Sequence, residues 1–146
     1  MYGQQLSQGL SVVATIDPDA NTADTYSSDV VDMCYHRRVA FIVMVGTMAS
    51  TSVLDCKLQS SPNNSDWTDI SGKAITQFTE AGTDSDKQAI IEISAEELRA
   101  LGARYVKAVM TVGTAASDSA LVAIAGYSRF SPASEYDLAS VDEIVA

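Results

Sequence analysis

Apolar and polar positions along the chain change period several times, and the changes mark out short extended segments. From Arg38 to Met48 (RVAFIVMVGTM) apolar residues occupy both alternating faces. Val39, Phe41, Val43 and Val45 fall on one face, and Ala40, Ile42 and Met44 on the other. Successive side chains of a strand point to opposite sides, so this segment is predicted to be covered twice, either centrally in a sandwich or by a neighbouring subunit. Thr51 to Ser60 then alternates Leu54, Cys56 and Leu58 with Asp55, Lys57 and Gln59, the pattern of a strand with one wet face. The link around residues 49–51 is short, which suggests an antiparallel hairpin between the two.

The same reading continues down the chain. SSPNNS (60–65) is a turn cluster, and Asp66 to Ile70 a short strand carrying the only tryptophan, Trp67. Ser71-Gly72 turns the chain, residues 75–78 form a short edge segment, and 80–87 a polar loop. Gln88 to Ile93 is a strand with Ile91 and Ile93 on one face. Ser94 and Glu97 have capping-box spacing at the start of a one- or two-turn helix that Gly102 stops. Arg104 to Val112 aligns Val106, Ala108, Met110 and Val112, and Ser119 to Phe130 is a last, nearly continuous apolar run. Gly46 or Gly126 marks a candidate bulge. Six or seven strands with one short helix predict an all-β domain, an antiparallel β-sandwich or a jelly-roll-like domain, with extended N- and C-terminal arms.

Three zones follow. Residues 1–28 are polar, with one apolar run (SVVATI, 11–16) that Asp17-Pro18-Asp19 breaks, and read as an N-terminal arm with one short strand. Residues 29–130 are the sandwich core. Residues 131–146 hold Glu135, Asp137, Asp142 and Glu143 with no base, yet interleave Tyr136, Leu138, Val141, Ile144 and Val145. Ordering an extended segment must be offset by apolar burial, so this zone reads as an acidic C-terminal arm that docks on another subunit. Deleting it is expected to weaken docking and leave the fold intact.

Charge changes the functional picture more than composition does. Nineteen acids against 9 bases leave a net charge of −10. That excludes nucleic acid as a partner, because neutralising phosphates needs a basic face, and it disfavours anionic membranes. No apolar run is long enough to span a bilayer, and residues 1–8 lack the basic and apolar regions of a secretory leader. A cytosol-like compartment is expected.

Candidate chemistry is sparse. One histidine, His36, and two cysteines, Cys34 and Cys56, cannot assemble the usual zinc site, and no cofactor motif is present. Asp17, Asp19 and Asn21 have the opening spacing of a calcium loop. Thr22 then stands where glycine is needed and Ser28 where a glutamate is needed, so an Asx-rich turn is the better account. The serines lie in no nucleophile setting, and nothing positions a pair of carboxylates for hydrolysis; the chain is not expected to be an enzyme. His36-Arg37-Arg38 reads as a strand entry facing solvent or an acidic partner. Arg37 and Arg38, with Tyr136, Leu138, Val141 and Ile144, are therefore the candidate partner-binding residues. Trp67 is a possible sugar-stacking platform, weighed against a core plug or edge cover.

Lys57-Leu58-Gln59-Ser60-Ser61, then Asp66-Trp67-Thr68-Asp69-Ile70, then Arg104-Tyr105-Val106-Lys107 before an apolar Ala/Val strand form a recognisable series. Over residues 29–130 it resembles the small β-sandwich virion proteins of tailed bacteriophages. The resemblance implies a capsid decoration, or cement, protein. Such a protein would be a homotrimer on the outer capsid surface, assembled in the host cytoplasm, with the major capsid protein as partner and no catalytic residue. Two other readings compete: a head–tail connector or tail-associated virion protein, and a carbohydrate-binding sandwich built around Trp67.

Overall fold

The computed structural model describes residues 3–145. One helical turn, α1 (Leu6–Gly9), precedes β1 (Leu10–Asn21), β2 (Asp24–Ser27), β3 (Val31–Asp32), β4 (His36–Met48) and β5 (Val53–Ser61). Then come β6 (Thr68–Ala74), β7 (Phe78–Thr79), β8 (Gln88–Ser94), α2 (Ala95–Ala100), β9 (Tyr105–Gly113), β10 (Ser117–Ser128) and a 3-10 turn (Ala133–Tyr136). All pairings are antiparallel. One sheet, A, runs β1-β10-β4-β8; the other, B, runs β2-β9-β5-β6, with β3 also on β9 and β7 also on β5. β2 and β3 are two pieces of one edge strand, because Ser28 between them exchanges hydrogen bonds with Ala108. If β6 and β7 are likewise taken as one, the strand orders become 1-8-3-6 and 2-7-4-5, the connectivity of a jelly roll. The expected all-β sandwich is the fold observed.

Both sheets turn their alternate apolar residues inward, as the period-2 pattern requires. Val39, Phe41, Val43, Leu121, Ala123, Ile91 and Ile93 from sheet A meet Leu54, Cys56, Leu58, Val106, Ala108, Met110 and Val112 from sheet B. α2 closes one end. Ser94 caps it with the reciprocal Glu97 bond, and Gly102, at φ 70°, ends it while Ala103 N–H reaches back to Leu98 C=O. That pair of bonds, with Gly102 N–H on Arg99 C=O, is a Schellman stop.

Three expectations change. First, residues 10–27 are not an arm: β1 is a full edge strand of sheet A and β2 an edge piece of sheet B. Pro18 does not break β1, because it sits on an edge at a register shift between Ile16 and Asp19, where no ladder donor is missed. Second, β4 and β5 are not a hairpin. β10 and β8 already occupy both sides of β4, so the chain crosses at residues 49–52 to the other sheet. Third, Ser71-Gly72 is not a turn between strands; Gly72, at φ 75°, lies inside β6 at a bulge opposite β5. The bulge expected at Gly46 or Gly126 lies at Gly46, opposite Ser117 to Ser119 of β10, and Gly126 pairs regularly with Leu10 and Arg38.

Candidate docking surface

The two outer faces of the sandwich differ sharply. On sheet B the outward residues of β9 and β5 are Tyr105, Lys107, Val109, Thr111, Asp55, Lys57 and Gln59. Lys57 and Gln59 bond Asp69 of β6, so that face is polar and internally paired. On sheet A the register stacks three outward rows. Val12, Ile124, Ala40 and Glu92 form the first; Thr15, Val122, Ile42 and Ile90 the second; Ala120, Met44 and Gln88 the third. Their middle carries no charge. Ile90 is 67% exposed and Met44 39% exposed. This is the second apolar face of β4 anticipated from its sequence, and no other described element covers the Ile42–Ile90 side of it.

The C-terminal segment lies along the other side, by β1. Val12 N–H donates to Asp137 Oδ1 (2.6 Å), and Leu138 N–H donates to Val12 C=O (2.9 Å). The Tyr136 ring packs at 5.4 Å on Tyr35 and edge-on at 5.1 Å to His36, and Ala133 is buried beneath. Tyr136 and Leu138, named from sequence as contacts for another subunit, are thus half-buried on their own domain. Val141 and Ile144 line a groove of about 550 Å³ with Leu6, Leu10, Val12 and Ile124. Ile144 and Val145 remain exposed there.

His36 opens β4 as expected, but it does not face solvent with its neighbours. It is 6% exposed, under Tyr136, with Nδ1 3.3 Å from Ser128 Oγ. Arg37 and Arg38 are exposed; Arg38 pairs with Glu92 across the strand at 3.2 Å. Sequence reasoning missed Arg99 and Arg129, which the fold brings to the same cleft as Arg37. They come from α2 and from the end of β10, and only the tertiary pairing of β4 with β8 and β10 joins them.

Burial holds the His36 pKa below its ordinary 6.5, against an opposing pull from Asp32. The unfolded chain therefore binds a proton on this ring at a higher pH than the folded one does. Stability from this group falls as pH drops from the unfolded value toward the depressed folded value. Urea midpoints measured between about pH 7 and 5 are expected to fall less in His36→Phe than in the unsubstituted protein. Equal slopes would mean the ring is not buried in solution.

Neither thiol is set up for chemistry. Burial pushes the Cys56 thiol up to about 12, and Cys34 is raised by burial and then by Asp32; both are free. Asn21 spends its amide on Ser119 O and Oγ (3.0 and 2.8 Å), while Asp17 and Asp19 lie along β1 and not in a ligand loop. Among the described residues no cluster of His, Cys, Asp or Glu suits a metal ion, and no helix is long and apolar enough to cross a membrane. Trp67 is half-buried with Lys107 Nζ 4.5 Å over its ring, so that face is not free to stack on a sugar.

No protein-family model and no curated protein matches this chain. Among solved structures it is similar to that of infectious bursal disease virus Gx strain, at 9% identity and TM-score 0.45. It is also similar to infectious bursal disease virus Gt strain, at 11% and 0.44. The VP2 subviral particle of that virus matches at 11% and 0.39. Each match covers 85% of this chain, which spans about a third of the length of those solved chains.

Proposed function

We propose that this protein is a non-enzymatic virion structural protein, a capsid decoration (cement) protein that docks on the major capsid protein through the outer face of sheet A. The observation that carries the reading is the uncharged apolar surface of Ile42, Ile90, Val122, Met44 and Ala120 on one sheet, beside a polar, internally paired surface on the other. The sequence resemblance to small tailed-phage virion proteins supplies the setting.

Area decides how the face is used. Three rows on four strands span about 20 by 15 Å, or about 300 Å². A standard interface needs about 800 Å² per partner. The adjoining groove, where Leu6, Val141, Ile144 and Val145 continue the apolar surface past β1, enlarges the face, and the contact stays smaller than a standard one. This reading puts exposed Ile144 at the shell contact, while Tyr136 and Leu138 position the segment. Many such modest contacts, repeated over a shell, reinforce it collectively.

The test is co-sedimentation of the purified protein with shells built from the major capsid protein encoded with it. A lysine placed in the middle of a closed apolar contact leaves a charge without a partner, so Ile42→Lys and Ile90→Lys are each expected to weaken binding by about 100-fold. Both variants should remain folded, since these side chains lie outside the core. Full-strength binding by both would overturn the docking face. Electron microscopy of labelled particles separates the cement role from the connector role: label over the whole shell supports the former, label at one vertex or on the tail the latter.

A further inference from the structure

The nine bases are unevenly placed. All five arginines, Arg37, Arg38, Arg99, Arg104 and Arg129, lie at one end of the sandwich, where β4 starts, β10 ends, α2 follows β8 and β9 begins. Register proves the common end: His36 pairs Ser128, Arg38 pairs Ser94, and Asp32 pairs Tyr105. Two of the five are spent within the chain, Arg38 on Glu92 and Arg104, through both carboxylate oxygens, on Asp32. Arg37, Arg99 and Arg129 make no ion pair with any described residue, and they line one cleft of about 690 Å³. Glu96 and Glu135 stand at the same end but do not line that cleft.

The opposite end has the reverse character. Asn21, Ser117 and Met48 meet there in register, and around them Asp17, Asp19, Asp24, Asp86 and Asp118 are exposed and make no ion pair with a described residue. The base at that end, Lys87, is already held by Asp84 at 2.9 Å. Asp19 and Asp118 border a shallow groove of about 480 Å³ with Pro18, Met44 and Ala120.

We infer that the arginine cleft receives the carboxylate end of a second copy of this chain, so that neighbouring copies associate head to tail. In a chain of net charge −10, two copies repel unless their approach brings the unpaired arginines against unpaired carboxylates. The complement of the cleft is present on the molecule itself, which selects a second copy as the partner. Two different patches meet, so the contact is heterologous and either closes into a ring or propagates. It covers the Met44–Ala120 border of the outer face of sheet A and leaves the rows of Ile42 and Ile90 open. The inference goes beyond the shell-docking reading and does not depend on it: self-association is read in the absence of any shell.

Sedimentation velocity on the purified protein tests it. Association is expected at about 20 mM salt and dissociation at about 500 mM, because exposed charges are screened within a few ångströms at the higher concentration. Arg37→Glu/Arg99→Glu/Arg129→Glu is expected to weaken self-association by at least about 10-fold, and Asp17→Lys/Asp19→Lys/Asp118→Lys equally. Mixing the two variants should restore association, since each then carries one end of each contact in matching sign. All six positions are exposed, and circular dichroism confirms that each variant is folded. A protein that stays monomeric at low salt, a triple arginine variant that associates as before, or a mixture that fails to recover would each overturn the inference.

Discussion

Phe41→Ala is expected to lower the free energy of unfolding by about 3–5 kcal/mol. Phe41 is fully buried in β4, in register with Ala123 of β10 and Ile91 of β8, and it points at sheet B. Ala123 is small and fully buried, so the neighbourhood offers little to fill the space that the ring would leave. In the same sheet, Ile90 of β8 points the other way and is 67% exposed. Ile90→Ala is expected to cost less than about 1 kcal/mol in stability, since most of its surface stays in water. Urea unfolding of both variants at matched m-values checks the pair. Equal losses would mean that the inner and outer faces of sheet A are misassigned. Unequal losses would support an outer face that serves association more than folding.

Removal of residues 131–146 is expected to cost about 2–4 kcal/mol, in contrast to the intact fold that sequence alone suggests. Three contacts disappear together. The Asp137 and Leu138 bonds to Val12 are lost from the edge of β1, at about 1 kcal/mol each. The Tyr136 ring leaves Tyr35 and His36, worth about 0.5–1.5 kcal/mol more. Buried Ala133 goes with them. A shorter deletion, residues 139–146, keeps every one of these contacts and removes Val141, Ile144 and Val145 from the groove. It is expected to leave the urea midpoint unchanged and to weaken shell co-sedimentation. Full-strength binding by that shorter chain would confine the docking face to sheet A itself. A large loss of stability would show that the groove is part of the core.

Two kinds of information separate in the C-terminal zone. Its alternation of acids with Tyr136, Leu138, Val141 and Ile144 signals a segment that seeks cover. It does not say on what, because a side chain that seeks burial is indifferent to whether the cover is its own chain or another. The geometry divides the segment: residues 133–138 dock on their own domain, and 141–145 extend an open surface.

The same limit explains the other departures. Within each strand the period-2 pattern settles which residues share a face, and the strands of β4, β5, β8, β9 and β10 lie close to where that pattern places them. The Ser94–Glu97 box and Gly102 settle the one short helix of the core, since caps act within a few residues. Which strand pairs with which is decided by neighbours far along the chain. Competition for the two sides of β4 sends β5 to the other sheet and turns an expected hairpin into a crossover. Pro18 reads as a breaker because propensity knows nothing of edges, and at a bulged edge its missing N–H costs no bond.

What the sequence determined by itself is therefore local or compositional: an all-β chain, its strand faces, its caps, its acidity, and a surplus of apolar positions on β4. What only the tertiary structure decided is convergence. His36 is buried because Tyr136, 100 residues away, folds over it. Arg37, Arg99 and Arg129 share a cleft because three strand ends meet. The surplus on β4 becomes one continuous face only when β1, β8 and β10 align beside it. Side-chain period is written into consecutive residues, whereas long-range pairing depends on the summed packing of the whole core.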